Sequence, residues 1–163
     1  IQPQGRKRMR RKEREVSDSS ELRLILDACQ ICRIALKDEE GLYIIPLNFG
    51  YDMINDTLVL YFHSAKTGRK LSAIKKDGQV AFEMDTDHRL IEAKKACDYG
   101  FAFSSIIGKG HAEIVTDLDE KKKGLSLLMK HQTGKEFIFD DKSASTVTVW
   151  KVTAEQFTGK RHL

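Results

Sequence analysis

The most informative stretch of the sequence is a strand that runs directly into a short helix, TLVLYFHSAKTGRKLSAIKK, residues 57–76. Residues 57–63 carry apolar side chains at both alternating sets of positions, so both faces of the strand are apolar. This pattern predicts a strand that is covered on both faces. Leu71 and Ile74 lie three residues apart, as expected for a short helix with one buried side. Between the two elements the chain gathers hydrogen-bond donors, namely His63, Ser64, Lys66, Arg69 and Lys70.

Residues 63–70, which we call the cradle segment, have the features of a phosphate site. Gly68 allows the backbone to turn where the helix begins, and the free amides of a helix start attract anions. Further donors around the same point would come from Ser64, Lys66, Arg69 and Lys70. Each charge-assisted hydrogen bond to a phosphate would contribute about 1.5–3 kcal/mol. The segment is not a Walker A loop, and a solvated basic turn is the alternative that the spacing leaves open.

Outward from this segment, the patterns predict an α+β domain built on an antiparallel sheet. A helix capped by Ser17 or Asp18 carries apolar residues at helical spacing from Leu22 to Cys29. A second helix begins at Asp117. Strands are expected over residues 32–37, 42–51, 57–63, 79–84, 99–116 and 145–152. Because several of them are apolar on both sides, we expect the sheet to close into a six-stranded, mainly β barrel with peripheral helices.

Two further stretches could contact a ligand. In YIIPLNFGYD, residues 43–52, a proline interrupts an apolar strand, so pairing should lapse near Pro46 and free the backbone of Leu47 and Asn48 for a flat heteroaromatic ring. An edge strand with a bulge is the alternative. In YGFAFSSIIGKGHAEIV, residues 99–115, Ser104 and Ser105 precede small residues at 108, 110 and 112 that would let the strand bend or let a backbone or ligand come close.

Charge and cysteine content argue against several other classes of protein. The net charge is +4, but residues 1–14 carry seven basic residues against one acidic residue, which leaves −2 for the remainder. We therefore expect a flexible basic arm over residues 1–16, partly vector-derived because the chain starts at Ile1, and no nucleic-acid-binding or membrane surface on the domain at 17–160. Three cysteines without framework spacing favour the cytoplasm, and no two histidines have metal-ligand spacing.

Taken together, these stretches resemble a known family of flavin-binding split barrels. The matching segments are LYFHSAKTGRKLSAI (60–74), SSIIGKGHAEIV (104–115) and VTVWKVTAEQFTGK (147–160), preceded by a start MRRKEREV (9–16). They are most similar to the nitroimidazole-resistance branch of the pyridoxamine-5′-phosphate-oxidase-like superfamily. The resemblance implies a six-stranded antiparallel split β-barrel that forms a homodimer with FMN at the subunit interface.

The resemblance also assigns roles to individual residues. It implies that the ribityl phosphate is held by His63, Ser64, Lys66, Gly68 and Lys70. It implies that the isoalloxazine edge is lined by the backbone of Pro46, Leu47 and Asn48, with Ser104 or Ser105 approaching from the opposite strand. His63 is the candidate catalytic proton donor, its alternative role being a structural hydrogen bond.

The expected function is reduction of small electron-poor compounds such as nitroimidazoles by an FMN-dependent oxidoreductase. The alternative is a non-catalytic flavin-binding module for storage or sensing. The chain lacks the dense set of arginines that binds substrate phosphate in oxidases of pyridoxamine phosphate, which puts vitamin B6 oxidation in doubt.

Overall fold

The computed structural model describes residues 10–163 as a strongly curved sheet with helices on its outside. The strands are β1 (Glu15–Val16), β2 (Ile31–Asp38), β3 (Gly41–Asn48), β4 (Gly50–Ile54), β5 (Thr57–Ser64), β6 (Gln79–Ile91), β7 (Gly100–Ile114) and β8 (Thr148–His162). The helices are α1 (Ser19–Ala28), α2 (Arg69–Lys76), α3 (Leu118–Thr133) and α4 (Asp141–Ala144), with short 3-10 turns at Lys12–Arg14 and Ala96–Asp98. Among the described helices, none is long and apolar enough to cross a membrane.

All strand pairings are antiparallel, and the strands follow the order β3-β2-β6-β7-β8-β5-β4, with β1 added to β8. The two ends of this order, β3 and β4, are joined in the chain by the single residue Phe49. Because Phe49 is fully buried, the chain crosses from one end of the sheet to the other through the core. The sheet therefore curves back on itself without closing its hydrogen-bond ladder, and the predicted mainly β, split-barrel class is confirmed.

The inside of the curved sheet is filled by aromatic side chains. Phe62 and Trp150 lie opposite each other on β5 and β8, and their rings stack with centroids 4.4 Å apart. Phe82 occupies the space beside Gly108, where an added Cβ would lie 2.2 Å from the ring. This contact explains the small residue at 108, because the core side chain of Phe82 fills the space beside it. The room for a ligand that the small residue suggested is therefore absent at this position. The tryptophan is a core residue.

The helices cover the open parts of this core. Asp18 caps α1 by accepting hydrogen bonds from the amides of Ser20 and Glu21, as its position predicts. Helix α3 lies over the junction of β3 and β4, so close that a Cβ on Gly50 would meet the backbone nitrogen of Leu128 at 2.3 Å. Helix α2 packs on β2 and β7 and buries Leu71 and Ile74, also as predicted.

The structure has eight strands where the patterns indicated six, for two local reasons. Residues 42–51 form two strands instead of one, because the chain changes partners at Phe49. The final part of the expected basic arm pairs with β8 through Glu15 and Val16, while residues 1–9 lie outside the described residues. Strands β6 and β8 also extend well beyond the predicted ends, because their second halves are polar and partly exposed.

Candidate functional site

The cradle segment forms a sharp corner between β5 and α2. Ser64 is the last residue of β5, and α2 begins at Arg69 with Gly68 as its N-cap residue. Gly68 has a φ of +145°, a conformation that side chains disfavour, although a Cβ there would meet no atom within 4 Å. The glycine is therefore required by backbone conformation. Among residues 10–163, the amide of Leu71 donates to the Gly68 carbonyl at 3.1 Å, whereas the amides of Arg69 and Lys70 at the helix start have no such backbone partner.

Ser64 supplies an unpaired hydroxyl at this corner. Its Oγ is buried and has no hydrogen-bond partner within residues 10–163, although buried polar atoms in proteins are nearly always paired. Ser64 lies opposite Thr148 on β8, on the sheet face that carries Phe62. An orphaned hydroxyl next to an open helix start fits a phosphate oxygen, which would accept from Oγ and from the amides together.

Of the three basic side chains in the cradle segment, two remain available to contact a ligand. In the described part of the chain, neither Lys66 nor Lys70 forms an ion pair with a carboxylate. Arg69, in contrast, turns away: its guanidinium donates to Asp38 at 3.0 Å and lies 4.2 Å from the ring centroid of Tyr43. The hydrogen bond from Arg69 lowers the pKa of the Asp38 carboxyl. The expectation that Arg69 donates at the same point as Lys66 and Lys70 is therefore wrong.

His63 and Ser64 cannot act from the same side of the sheet. They are neighbours on β5, so their side chains project from opposite faces, and His63 is exposed whereas Ser64 is buried. The imidazole lies on the face of β5 that α3 covers further along, where Tyr61 packs with Leu125 and Val149. His63 borders the corner but does not share the environment of the Ser64 hydroxyl.

The proline strand differs from its prediction. Pairing does not lapse at Pro46, which lies opposite Arg33 in an unbroken register along β2. Proline is tolerated because β3 is the end strand of the sheet, so its missing donor costs no ladder hydrogen bond on the open side. Asn48 donates to the side chain of Gln132 at 2.9 Å. The strand continues from Tyr43, on whose ring Arg69 packs, to Pro46, Leu47 and Asn48. At most about 17 Å of strand separates Tyr43 from Asn48.

Ser104 and Ser105 lie far from the cradle segment within one chain. They face Thr86 and Asp85 on β6, and about 23 Å of strand separates Ser105 from Ala112, which lies beside α2. Ser104 is fully buried and its hydroxyl accepts from Arg161 at 3.3 Å. The structure thus brings together residues 63–70 and places the two serines at the other end of β7.

A groove beside the corner was not predicted. This α2 groove has a volume of about 480 Å³ and runs between α2 and the end of β7. Its lining comprises Lys66, Leu71, Ile74, Lys75, His111, Ala112, Glu113, Ile114, Thr116 and Thr148. His111 is exposed, and its position in the groove has no sequence signal, because β7 meets α2 only through the fold.

Comparison with known proteins agrees with this architecture. Residues 18–161 match the family model described as pyridoxamine 5′-phosphate oxidase. The comparison with curated proteins gave no match. Among solved structures, a Bacteroides thetaiotaomicron protein assigned to 5-nitroimidazole antibiotic resistance shares 32% identity, with 90% of this chain and 86% of that chain covered and a TM-score of 0.76.

Two more distant structures share the fold. The flavocytochrome Anf3 of Azotobacter vinelandii has 18% identity and a TM-score of 0.75, over 95% of this chain and 72% of that chain. The FAD and heme binding protein of Mycobacterium smegmatis has 18% identity and a TM-score of 0.74, over 91% and 73%. The family model and the Bacteroides relative both span nearly the whole described domain, so the chain belongs to the pyridoxamine 5′-phosphate oxidase family, as its resemblance to the nitroimidazole-resistance branch predicted.

Proposed function

We propose that the chain is a flavoprotein that holds the phosphate of an FMN moiety in the cradle segment. The observation that carries this proposal is the buried Ser64 hydroxyl, which has no partner within residues 10–163 and belongs to the strand end that leads into the start of α2. Lys66 and Lys70 complete the site with charge. The chemistry of this donor set fits a phosphomonoester, because it offers several donors and places no carboxylate among residues 63–70.

The reaction we propose is reduction of small electron-poor compounds such as nitroimidazoles. The flavin supplies the redox chemistry when bound. The assignment of the Bacteroides relative to nitroimidazole resistance supports this substrate class, and the likeness to the FAD and heme binding protein supports a flavin. The exposed backbone edge of β3 at Pro46, Leu47 and Asn48 would orient the ring, and His63 would deliver a proton to the substrate.

A homodimer completes the proposal. Directly opposite residues connect Ile44, Ala35 and Ala81 across β3, β2 and β6, and the neighbouring row runs from Pro46 through the ion-paired Arg33 and Glu83 to Ile107 on β7. On this outer face, Leu42 is 82% exposed, Ile44 67% and Ile107 56%. A surface that exposes several large apolar side chains is typical of an interface. A second copy seated on it would also bring its own Ser105, which lies on the same face, toward the partner's ring.

The second candidate function is a non-catalytic flavin-binding module. The absence of a Gly-x-Gly-x-x-Gly turn favours it, because the sequence then offers no recognisable nicotinamide site. Both candidates share the flavin site and differ only in turnover. We place either one in the cytoplasm, because Cys29 and Cys32 are buried as free thiols and Cys97 is an exposed one.

An anaerobic reduction experiment separates the two candidates. The purified protein with bound FMN is mixed with NADH or NADPH, and a nitroimidazole is then added while the flavin absorbance is followed. An oxidoreductase loses the absorbance on the first addition and recovers it on the second. If neither addition changes the spectrum, the catalytic proposal fails and the binding module stands. If the protein binds no flavin, both fail.

A further inference from the structure

The α2 groove begins where the cradle segment lies. Lys66 belongs to both, and Thr148 in the groove is the strand partner of Ser64. From there the groove follows the eight residues of α2, about 12 Å of helix, to Lys75 in its last turn. A ligand whose first phosphate occupies the cradle segment could therefore continue directly into the groove.

The charges of the groove favour an anion that extends beyond one phosphate. Lys66 lies at one end and Lys75 at the other, and neither is paired with a carboxylate in residues 10–163. The single acidic side chain of the lining, Glu113, is bonded to Lys151 at 3.2 Å. The groove consequently offers two free ammonium groups over an apolar floor that includes Leu71 and Ile74.

His111 provides a flat ring at the end of the groove away from the cradle segment. Its imidazole lies against Gly78, where an added Cβ would lie 2.5 Å from Cε1. Gly78 also has a φ of +74°, so both backbone and space require glycine there. An exposed aromatic ring offers a stacking surface for a nucleobase.

We propose that the α2 groove takes the adenylate half of FAD, and that the protein binds FAD more tightly than FMN. This inference rests on the proposed function, because the FMN moiety of FAD must first occupy the cradle segment. The second phosphate lies by Lys66, the adenosine crosses the floor of the groove, and Lys75 and His111 contact its far end. The groove volume of about 480 Å³ lies within the usual range for small-ligand sites.

The test compares FMN and FAD on the same flavin-stripped protein by quenching of flavin fluorescence. We expect FAD to bind at least about tenfold more tightly than FMN, as one charge-assisted hydrogen bond or one stacked base would produce. His111→Ala and Lys75→Met should each remove much of this difference and leave FMN affinity unchanged. The matched control is Lys135→Met, which removes an exposed lysine after α3 and should alter neither affinity.

The possible outcomes separate this inference from the proposed function. Equal affinities for FMN and FAD, or a preference for FMN, would overturn the inference and leave the flavoprotein proposal intact. A preference for FAD that persists in both groove variants would also overturn it, because the adenylate would then lie elsewhere. Failure to bind either flavin would instead refute the proposed function itself.

Discussion

Ser64→Ala should change stability and cofactor affinity in opposite directions. Within residues 10–163 of the flavin-free protein the buried Oγ has no partner, and an unpaired buried hydroxyl costs about 1–3 kcal/mol. Removing it should therefore raise the free energy of unfolding by about 1 kcal/mol or more, which corresponds to about 2–4 °C in Tm per kcal/mol for a domain of this size. Removing a hydrogen bond to the phosphate should weaken FMN binding about 10- to 100-fold.

The two effects are measured on one preparation. Urea unfolding of flavin-free protein gives stability, and an increased midpoint with an unchanged slope shows that stability alone has changed. Fluorescence titration gives the FMN dissociation constant. Ser72→Ala is the control, because Ser72 is exposed on α2 and its replacement should leave FMN binding unchanged. A Ser64→Ala variant that is less stable without flavin, or that binds FMN as the parent does, would refute the assignment of the orphaned hydroxyl.

Three further predictions concern the fold and the assembly. Gly108→Ala should lower the free energy of unfolding by about 1–3 kcal/mol in urea denaturation, because the new methyl group would overlap the Phe82 ring; parent-like stability would contradict the packing described. Arg69→Met should be less stable than the parent at neutral pH, and this difference should shrink as the pH falls below the ordinary carboxyl pKa. Arg69 depresses the folded-state pKa of Asp38, so this stabilisation is present above the ordinary carboxyl pKa and is lost as the pH falls through the lowered folded-state pKa; a difference that stays undiminished in acid would contradict it. Ile44→Lys should yield folded monomers in sedimentation with an unchanged circular dichroism spectrum, whereas a dimer would exclude this face as the interface.

Local patterns predicted the elements whose signals are local. Asp18 caps α1, Leu71 and Ile74 face inward from α2, and β5 has nearly the predicted ends, because caps and periodicity act within a few residues. The division of residues 42–51 could not be predicted. Phe49 can separate two strands only because the sheet curves enough to bring its two end strands to either side of this residue.

Strand lengths were underestimated for a related reason. Beyond Met84, β6 continues through a bulge near Thr86, where Asp87 has a φ of +61°. The bulge places one extra residue opposite β7 and breaks the alternation on which strand prediction relies. The following residues are polar and exposed, so their pairing depends on β7 and leaves no apolar pattern in the sequence.

The candidate site was only partly visible in the sequence. Contiguous residues such as Ser64, Lys66 and Gly68 could be grouped because they share one corner. Arg69 was misassigned, because its partner Asp38 is distant in the chain and adjacent only in the fold. The groove beyond Lys66 was missed for the same reason, since His111 reaches it from another strand.

The central claim is that the corner between β5 and α2 binds the terminal phosphate of a flavin. The most direct test is a comparison of FMN with riboflavin, which has the same ring and ribityl chain but no phosphate, by fluorescence titration of the flavin-free protein. Two or more charge-assisted hydrogen bonds predict that FMN binds at least about 100-fold more tightly. Lys70→Met should reduce that ratio. Equal affinity for the two flavins would contradict the claim.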